Sequence, residues 1–413
     1  MKAFWEKIDE MLLILLLLLV PTQLGKHFWP EWSMVMGVRV DYLSPTLYLI
    51  DLVWLAWVMV KGMFLISKKR KIEFKTVVNF QNIIATLLVV LNIAIAGNRW
   101  VAVYRWLRVF QWVVTFGLIR GDKLLVVKQL LWIVPVWVLA ETILGVSQVV
   151  KGGSIEGWWY WFGERRFGYS GIGVAQISWL GQGVVRAYGT FSHPNSMAGF
   201  FLLVLAWWNG QKKVEKITWW WVFWMLIVGI IVCGSRVVWL MAGAMVVWRF
   251  WIASGMKFGK KILGYGAILL GLVLIVMGVV GMNYRLSDFV GGWDSDSSMK
   301  RMTLNWSAMK MWKDNFILGV GLGNFTSRLP YFVQGLSFYW WQPVHNIFLL
   351  LASETGILGV MGMVWVVASW WRNRLWKEWK ILLICLIFTG MLDHYWVTLP
   401  QNNWLLAVIL AVL

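Results

Sequence analysis

Apolar residues along the chain gather in long runs, which alternate with short polar segments. We read twelve of these runs as candidate membrane spans, at residues 10–22, 46–66, 79–96, 100–119, 126–150, 191–208, 216–233, 237–253, 262–282, 344–370, 379–392 and 402–413. A membrane helix needs about 20 apolar residues, so the first run and the last two are short. The pattern predicts an all-α integral membrane protein with about 12 transmembrane helices, built as a single polytopic domain over residues 1–413.

The composition agrees with this pattern. Hydrophobic residues make up 60% of the chain and charged residues only 14%, whereas a soluble domain has about 45–50% and about 25%. The net charge of +19 would suit nucleic-acid binding. However, the basic residues lie in short gaps between apolar runs, which is the distribution seen in cytoplasmic loops of membrane proteins. We therefore expect a lipid bilayer as a partner, and no nucleic acid.

Loop charge also predicts the orientation of the chain. If the N-terminus is inside, every inward loop is basic, and the short outward loops carry only Lys26, Arg39, Arg99 and Arg236. The positive-inside rule then places both termini in the cytoplasm. The leucine-rich first run is read as a retained span, because no small-residue cleavage pattern follows it. Two long loops, at 151–190 and 283–343, face outward, and loops of this length are usually functional.

The first long loop leads into the segment "RAYGTFSHPNS", which carries Arg186, His193 and Asn195. One interpretation is a helix start, in which Ser192 caps the free N–H groups and Pro194 occupies the first turn. The other is an anion site, because a helix N-terminus facing a polar cavity attracts negative charge. The sequence leaves both interpretations open.

Two arginines lie at or near the outward ends of apolar runs. Arg236 stands between two runs with almost no loop, where a charged side chain is costly unless it has a partner. We favour a functional Arg236 over a topology anchor, since the short outward loops hold few other cations. Arg108 lies nearer the outward end of its run, and a binding role and a structural ion pair are both open for it.

The second long loop contains an acidic triplet, a predicted helix and a glycine-rich turn. Asp294 and Asp296 in "DSD" are read as a solvated turn rather than a metal site, and no metal or cofactor is expected. In "MKRMTLNWSAMKMWKDN" the apolar positions 299, 302, 306 and 309 recur at helical spacing, with Arg301 off that stripe. This spacing is typical of an amphipathic helix on the bilayer surface. "GVGLGNF" lacks the context of a phosphate loop and is read as a tight turn.

The stretch "QPVHNIFLLLASETGILG" places a histidine and a glutamate in an apolar run. His345 follows Pro343 and is expected in the first turn of a helix, where the partial positive charge disfavours imidazolium and leaves a neutral base. A capping or interfacial role is the alternative. Glu354 lies roughly 13.5 Å deeper and faces away from His345 on a straight helix. We expect it to pair with a polar group on another helix.

These segments together resemble a known family. The stretches "RAYGTFSHPNSMAGFF", "GSRVVWL", "KRMTLNWSAMKMWKDNFILGVGLGNF" and "QPVHNIFLLLASETGILG" occur in the order seen in the O-antigen ligase/O-antigen polymerase superfamily, over residues 186–359. Each motif alone is weak, and the specificity lies in the combination. The superfamily consists of multi-span glycosyltransferases of the GT-C type, so the resemblance implies that fold.

The resemblance also implies an activity and roles for residues. Members transfer a glycan from undecaprenyl diphosphate to an acceptor hydroxyl, such as one on lipid A–core, at the outer face of the cytoplasmic (inner) membrane. By motif match, Arg236 and Arg301 take the diphosphate-binding positions and His345 takes the position of the catalytic histidine. Arg285 is close enough to Arg301 in the sequence to compete for its role.

Further residues join this site as substrate-binding candidates: Arg186, His193, Asn195, Arg108 and Asn346. The run "DHYWVTLPQNNW" near the end of the chain receives no role.

Three functions follow from these residues and the resemblance. A ligase attaches a glycan to a glycolipid or other surface acceptor, whereas a polymerase joins one lipid-linked repeat unit to another. Either would use guanidinium groups in place of a metal to stabilise the leaving diphosphate, and would proceed with inversion. A transporter of the same lipid-linked glycan is the alternative of another class, but it would need binding groups near the membrane midplane.

Overall fold

The structure is a computed structural model that describes residues 2–67, 80–171, 173–179, 182–211, 214–252, 265–279, 296–333, 335, 337–372 and 376–413. It is mostly helical, with 73% of the described residues in helices. The helices described are α1 (Lys2–Leu18), α2 (Leu49–Ser67), α3 (Phe80–Ile95), α4 (Arg99–Gly121), α5 (Lys123–Lys151), α6 (Pro194–Asn209), α7 (Lys216–Val232), α8 (Arg236–Ile252), α9 (Tyr265–Val279), α10 (Asp296–Asp314), α11 (Phe325–Phe332), α12 (Ile347–Arg372), α13 (Trp376–Gly390), α14 (Tyr395–Thr398) and α15 (Pro400–Val412).

Each of the predicted apolar runs overlaps one of these helices. Two described helical segments, Lys123–Lys151 and Ile347–Ser369, are long and apolar enough to cross a membrane. Four shorter apolar helices accompany them: Ile83–Ile95, Lys216–Val232, Tyr265–Val279 and Lys380–Gly390. The predicted number of 12 spans therefore stays a prediction. The first helix begins well before the run at 10–22, because the polar residues ahead of that run also adopt helical structure.

Short antiparallel strand pairs, which the apolar pattern did not predict, lie in the loops and at the start of the run predicted at 46–66, where β4 precedes α2. Strands β1 (Gly25–His27) and β4 (Thr46–Tyr48) pair, as do β2 (Met34–Val35) and β3 (Val38–Arg39). In the first long loop β5 (Gln176–Trp179) pairs with β6 (Gln182–Val185), with Gln176 opposite Val185. The loop predicted at 151–190 thus contains structure of its own and continues to the start of α6.

The chain divides into two compact units. The first unit comprises Met1–Val20, Gly25–Leu118 and Lys300–Asn373. The second comprises Pro21–Leu24, Ile119–Met299 and Arg374–Leu413. No finding tests the prediction of a single polytopic domain, which stays a prediction.

Helix α6 forms the centre of the second unit. Its residues from Ser196 to Trp208 are all buried, and it packs against α7, α8, α13 and α15. A helix that is apolar on all sides is either buried in a protein core or exposed to lipid, and the burial of α6 shows that protein surrounds it. This burial fixes the N-terminus of α6, and the segment that leads into it, within the second unit.

In the first unit an apolar cluster lies beneath the segment that carries His345. It joins α10, the glycine-rich turn, α11 and the start of α12, through Leu304, Ala308, Met311, Val320, Phe325, Leu329, Val344 and Leu350. The predicted amphipathic helix is therefore present as α10, with one face in this core. The residues predicted to form its bilayer stripe are exposed on the other face, where Met299 is 41%, Trp306 49% and Met309 49% accessible.

Candidate functional site

Arg186 is the centre of a polar cluster in the second unit. Its Nε donates to the carbonyl of Cys233 at 2.7 Å, and its Nη2 donates to Oδ1 of Asn195 at 2.5 Å. The amide of Asn195 in turn donates to Oδ2 of Asp393 at 2.8 Å. Two substrate-binding candidates, Arg186 and Asn195, are therefore in direct contact. Asp393 completes a chain of hydrogen bonds that sets the plane of the guanidinium.

A second guanidinium lies close to the first. Burial lowers the pKa of the Arg186 guanidinium, and the neighbouring Arg236 acts in the same direction, while Asp393 raises it. A guanidinium nevertheless stays protonated in proteins. The cluster thus concentrates positive charge at the start of α8, where the helix N-terminus adds partial positive charge.

The turn between α7 and α8 allows the two arginines to approach. Gly234 has a φ of 62°, a left-handed conformation that favours glycine. A Cβ at this position would lie 3.1 Å from Nε of Arg186. The short segment that the sequence showed between two apolar runs is therefore a compact turn, and Arg236 is the first residue of the helix that follows it.

Two polar residues of α5 hold the segment between Arg186 and α6. Glu141 accepts the backbone N–H of Thr190 at 2.9 Å and its hydroxyl at 2.6 Å. Gln148 Oε1 accepts the N–H groups of Tyr188 and Gly189 at 3.0 and 2.8 Å. Because the two α5 side chains are buried, these bonds satisfy groups that would otherwise be costly in an apolar helix.

The cap of α6 differs from the expectation. His193, not Ser192, is the N-cap residue, and its Nδ1 accepts the N–H of Asn195 at 3.1 Å. A neutral imidazole that accepts at Nδ1 carries its proton on Nε2. His193 thus presents a hydrogen-bond donor rather than a base at Nε2, while its Nδ1 is occupied by the backbone N–H of Asn195.

His345 lies just ahead of α12 in the first unit, so the expectation that it occupies the first helical turn is wrong. The helix begins at Ile347. Asn346 caps it, because its Oδ1 accepts the N–H groups of Phe348 at 2.9 Å and Leu349 at 3.1 Å. Pro343 limits where the helix can start, but asparagine is one of the preferred N-cap residues and determines the start here. His345 approaches Gln342 at 3.5 Å between Nε2 atoms.

Helix α12 is not straight, contrary to the geometry assumed from the sequence. Gly356 has a φ of 64° and a ψ of −165°, which divides the helix in two. The Glu354 carboxylate accepts the N–H of Phe325, the first residue of α11, at 3.1 Å. The expected partner on another helix is therefore a backbone group. The turn predicted at "GVGLGNF" is present, with positive φ angles at Gly319, Gly321 and Gly323.

The remaining predicted residues lie in different structural environments. Arg108 Nη1 donates to Asp51 at 2.6 Å and to Gln111 at 2.8 Å, which favours the structural ion pair. Arg301 lies partly buried on α10. Arg285 and Asp294 lie outside the described residues.

Two residues with many polar contacts were not singled out from the sequence. Asp393 belongs to the run that received no role, and it accepts from Asn195 and from the N–H of His394. Asn92 lies in an apolar run and is 3% exposed. A lone asparagine within a predicted span was the available signal, since a polar side chain there needs partners.

A comparison with protein families adds the decisive observation. Residues 221–364 match the family model of O-antigen ligases. Over that range the chain is similar to the O-antigen ligase family. The resemblance to the O-antigen ligase/polymerase superfamily is thereby confirmed. The matched range includes Arg236, Arg301 and His345, while Arg186, His193 and Asn195 precede it.

The family match supports a membrane enzyme of the ligase or polymerase type, which acts on lipid-linked glycans in polysaccharide biosynthesis. The O-antigen ligase family is located in the inner membrane. No curated protein and no solved structure matches the chain.

Proposed function

We propose that the chain is an O-antigen ligase-like glycosyltransferase, which moves a glycan from undecaprenyl diphosphate to a hydroxyl of lipid A–core or a similar surface acceptor. The observation that carries the proposal is the family match at 221–364, which covers the motifs around Arg236, Arg301 and His345. The proposal takes the roles of these three residues from that match.

Stabilisation of the leaving group is the main chemical requirement. When the glycosyl bond breaks, negative charge develops on the departing diphosphate, and guanidinium groups bind phosphate oxygens in pairs while remaining charged. The hydrogen bond from Arg186 to the carbonyl of Cys233, in the turn that precedes Arg236, supports its inclusion beside Arg236. Arg301 is proposed as a further diphosphate ligand.

The proposed step is an in-line displacement with inversion. The acceptor oxygen attacks the anomeric carbon and forms the new glycosidic bond, while the bond between that carbon and the phosphate oxygen breaks. The electron pair leaves with undecaprenyl diphosphate. His345 accepts the proton of the acceptor hydroxyl, which a neutral imidazole does efficiently near neutral pH.

The test uses purified protein, undecaprenyl-diphosphate-linked glycan and lipid A–core, with products separated on a gel. We expect a glycan–lipid A–core product that requires the acceptor and persists in EDTA, because guanidinium groups take the place of a metal. A ladder of longer lipid-linked glycans without lipid A–core would instead identify a polymerase. Absence of any glycosidic product in a reconstituted system would contradict the proposal.

A further inference from the structure

The break in α12 is filled by the segment that follows α10. The N–H of Val320 donates to the carbonyl of Ser353 at 2.8 Å, and the N–H of Gly321 donates to that of Glu354 at 3.0 Å. On the other side of the break, the N–H of Ile357 donates to the carbonyl of Phe316 at 2.8 Å. The backbone groups freed at Gly356 are thus paired with residues 316–321. This satisfies the requirement for an interrupted helix in an apolar environment.

Glycine permits this close approach on both sides. Gly319 and Gly356 have φ angles of 68° and 64°. A Cβ on Gly319 would overlap the backbone of Glu354, and a Cβ on Gly356 would overlap the backbone of Ile317. The two segments therefore approach this closely only with glycine at both positions.

Asn92 of α3 uses its whole side chain at the same place. Its Nδ2 donates to the carbonyls of Leu318 at 2.9 Å and Glu354 at 3.0 Å. Its Oδ1 accepts the N–H of Leu322 at 2.9 Å and the indole N–H of Trp106 at 2.9 Å. The amide is thereby saturated, and it bridges α3, α4, the glycine-rich turn and α12.

Glu354 adds the connection to α11. Its side chain is buried and accepts the N–H of Phe325, and it also interacts with the backbone of Gly323. Asn324 is tied in turn to α4, since its Oδ1 accepts the N–H of Asn98 at 2.7 Å. The turn at 319–325 is therefore held from α3, from α12 and from the start of α4.

We infer that Asn92 and Glu354 form a clamp that fixes the orientation of the helical segment Ile347–Thr355 and, through it, the position of His345 and Asn346. Glu354 acts as a positioning residue through its role as a hydrogen-bond acceptor. The inference rests on the proposed function of His345 for its effect on turnover. The clamp explains why an apolar helix holds a buried carboxylate at the point where the helix breaks.

The clamp distinguishes two substitutions of Glu354. Glu354→Gln keeps an oxygen that can accept from Phe325, so we expect turnover within a few-fold of wild type. Glu354→Ala leaves that N–H without its acceptor and removes the side-chain link between α12 and the turn. A displacement of about 1 Å at a reacting group can lower the rate about 10²-fold. We therefore expect a fall of this order in turnover, with donor binding unchanged. Asn92→Leu should behave as Glu354→Ala does.

The matched control is Ser353→Ala, on the same helical segment. Among the described residues the Ser353 hydroxyl bonds to the carbonyl of Leu350 within the helix, at 2.9 Å, and Ser353 is as deeply buried as the clamp. Its loss should leave turnover close to wild type. If Glu354→Gln is as inactive as Glu354→Ala, the carboxylate acts through its charge or its proton, and the clamp is refuted. Full activity of Glu354→Ala would also refute it.

A second measurement is independent of transfer activity. A cysteine introduced as Gln342→Cys, next to His345, is labelled with a hydrophilic maleimide; the native Cys233 and Cys385 are buried. We expect Glu354→Ala to change the labelling rate at least several-fold, and Ser353→Ala to leave it unchanged. If labelling changes in this way but the parent protein transfers no glycan, the clamp is supported and only the proposed function is overturned. If the parent protein transfers glycan but Glu354→Ala changes neither labelling nor turnover, the clamp alone is overturned.

Discussion

The proposed base can be separated from a structural histidine by two substitutions. His345→Ala should lower turnover by about 10²- to 10⁴-fold, the usual worth of a positioned base, with donor binding retained. His345→Gln keeps a polar side chain but cannot take a proton, so it should be nearly as damaged. The measurement is glycan transfer at matched membrane abundance. A fully active Gln variant would show that His345 only caps or packs, and His193 would be a poor replacement because its Nδ1 accepts from Asn195.

Arg236 and Arg186 allow a test of guanidinium chemistry. Arg236→Ala should abolish transfer, and Arg236→Lys should restore only part of it, because an ammonium cannot reproduce the planar two-point contact. The matched comparison is Asn195→Ala, which leaves both charges but removes the acceptor that orients Arg186. We expect Asn195→Ala to weaken donor binding, but by less than the loss of either arginine does. An Arg236→Lys variant with wild-type turnover would reduce Arg236 to a simple positive charge.

At the scale of elements, the buried ion pair between α1 and α2 is the clearest determinant of helix pairing. Lys61 Nζ lies 2.6 Å from Asp9 Oδ2, with both side chains about one tenth exposed, at 9% and 10%. Removing one partner from a buried pair costs about 3–5 kcal/mol, whereas replacing both with apolar groups is often close to neutral.

We therefore expect Lys61→Met to lower the melting temperature in detergent markedly, and the double variant Asp9→Leu with Lys61→Met to recover most of the loss. The exposed Lys26 offers a control, since Lys26→Met should have little effect. If the single and double variants melt at the same temperature, the pair does not hold α1 against α2.

Elements were predictable from the sequence where the signal was long and periodic. Every apolar run yielded a helix, and the stripe of α10 was found from its spacing, because such patterns persist over many residues. The pair of strands β5 and β6 and the eight-residue α11 carry too few residues for a pattern. The start of α12 was misplaced, because it was inferred from Pro343, whereas the single N-cap residue Asn346 determines it.

The same contrast applies to the candidate site. The motifs around Arg236 and His345 indicated the resemblance to the O-antigen ligase family, because each motif combines several chemical groups within a short stretch of the chain. The contacts of Asn92, Glu354 and Asp393 depend on segments up to hundreds of residues apart, such as the 262-residue separation of Asn92 from Glu354. No local pattern encodes those pairings. A lone polar residue in an apolar run indicates only that some partner exists.

The orientation of the whole molecule decides which aqueous phase the polar groups face. The basic inward loops predict that residue 70 is cytoplasmic and that the segment 290–298 lies outside, because positive charge is retained on the cytoplasmic side. The location of each position is measured by fusing two reporters to it in turn, one active only in the cytoplasm and one active only outside it. We expect the outward signal at 290–298 and the inward signal at 70. As a matched control, a fusion within 209–216 should agree with the one at 70, since both loops are basic. Reversal of all three signals would place His345 and Arg236 on the cytoplasmic side, where the proposed transfer at the outer face of the membrane cannot take place.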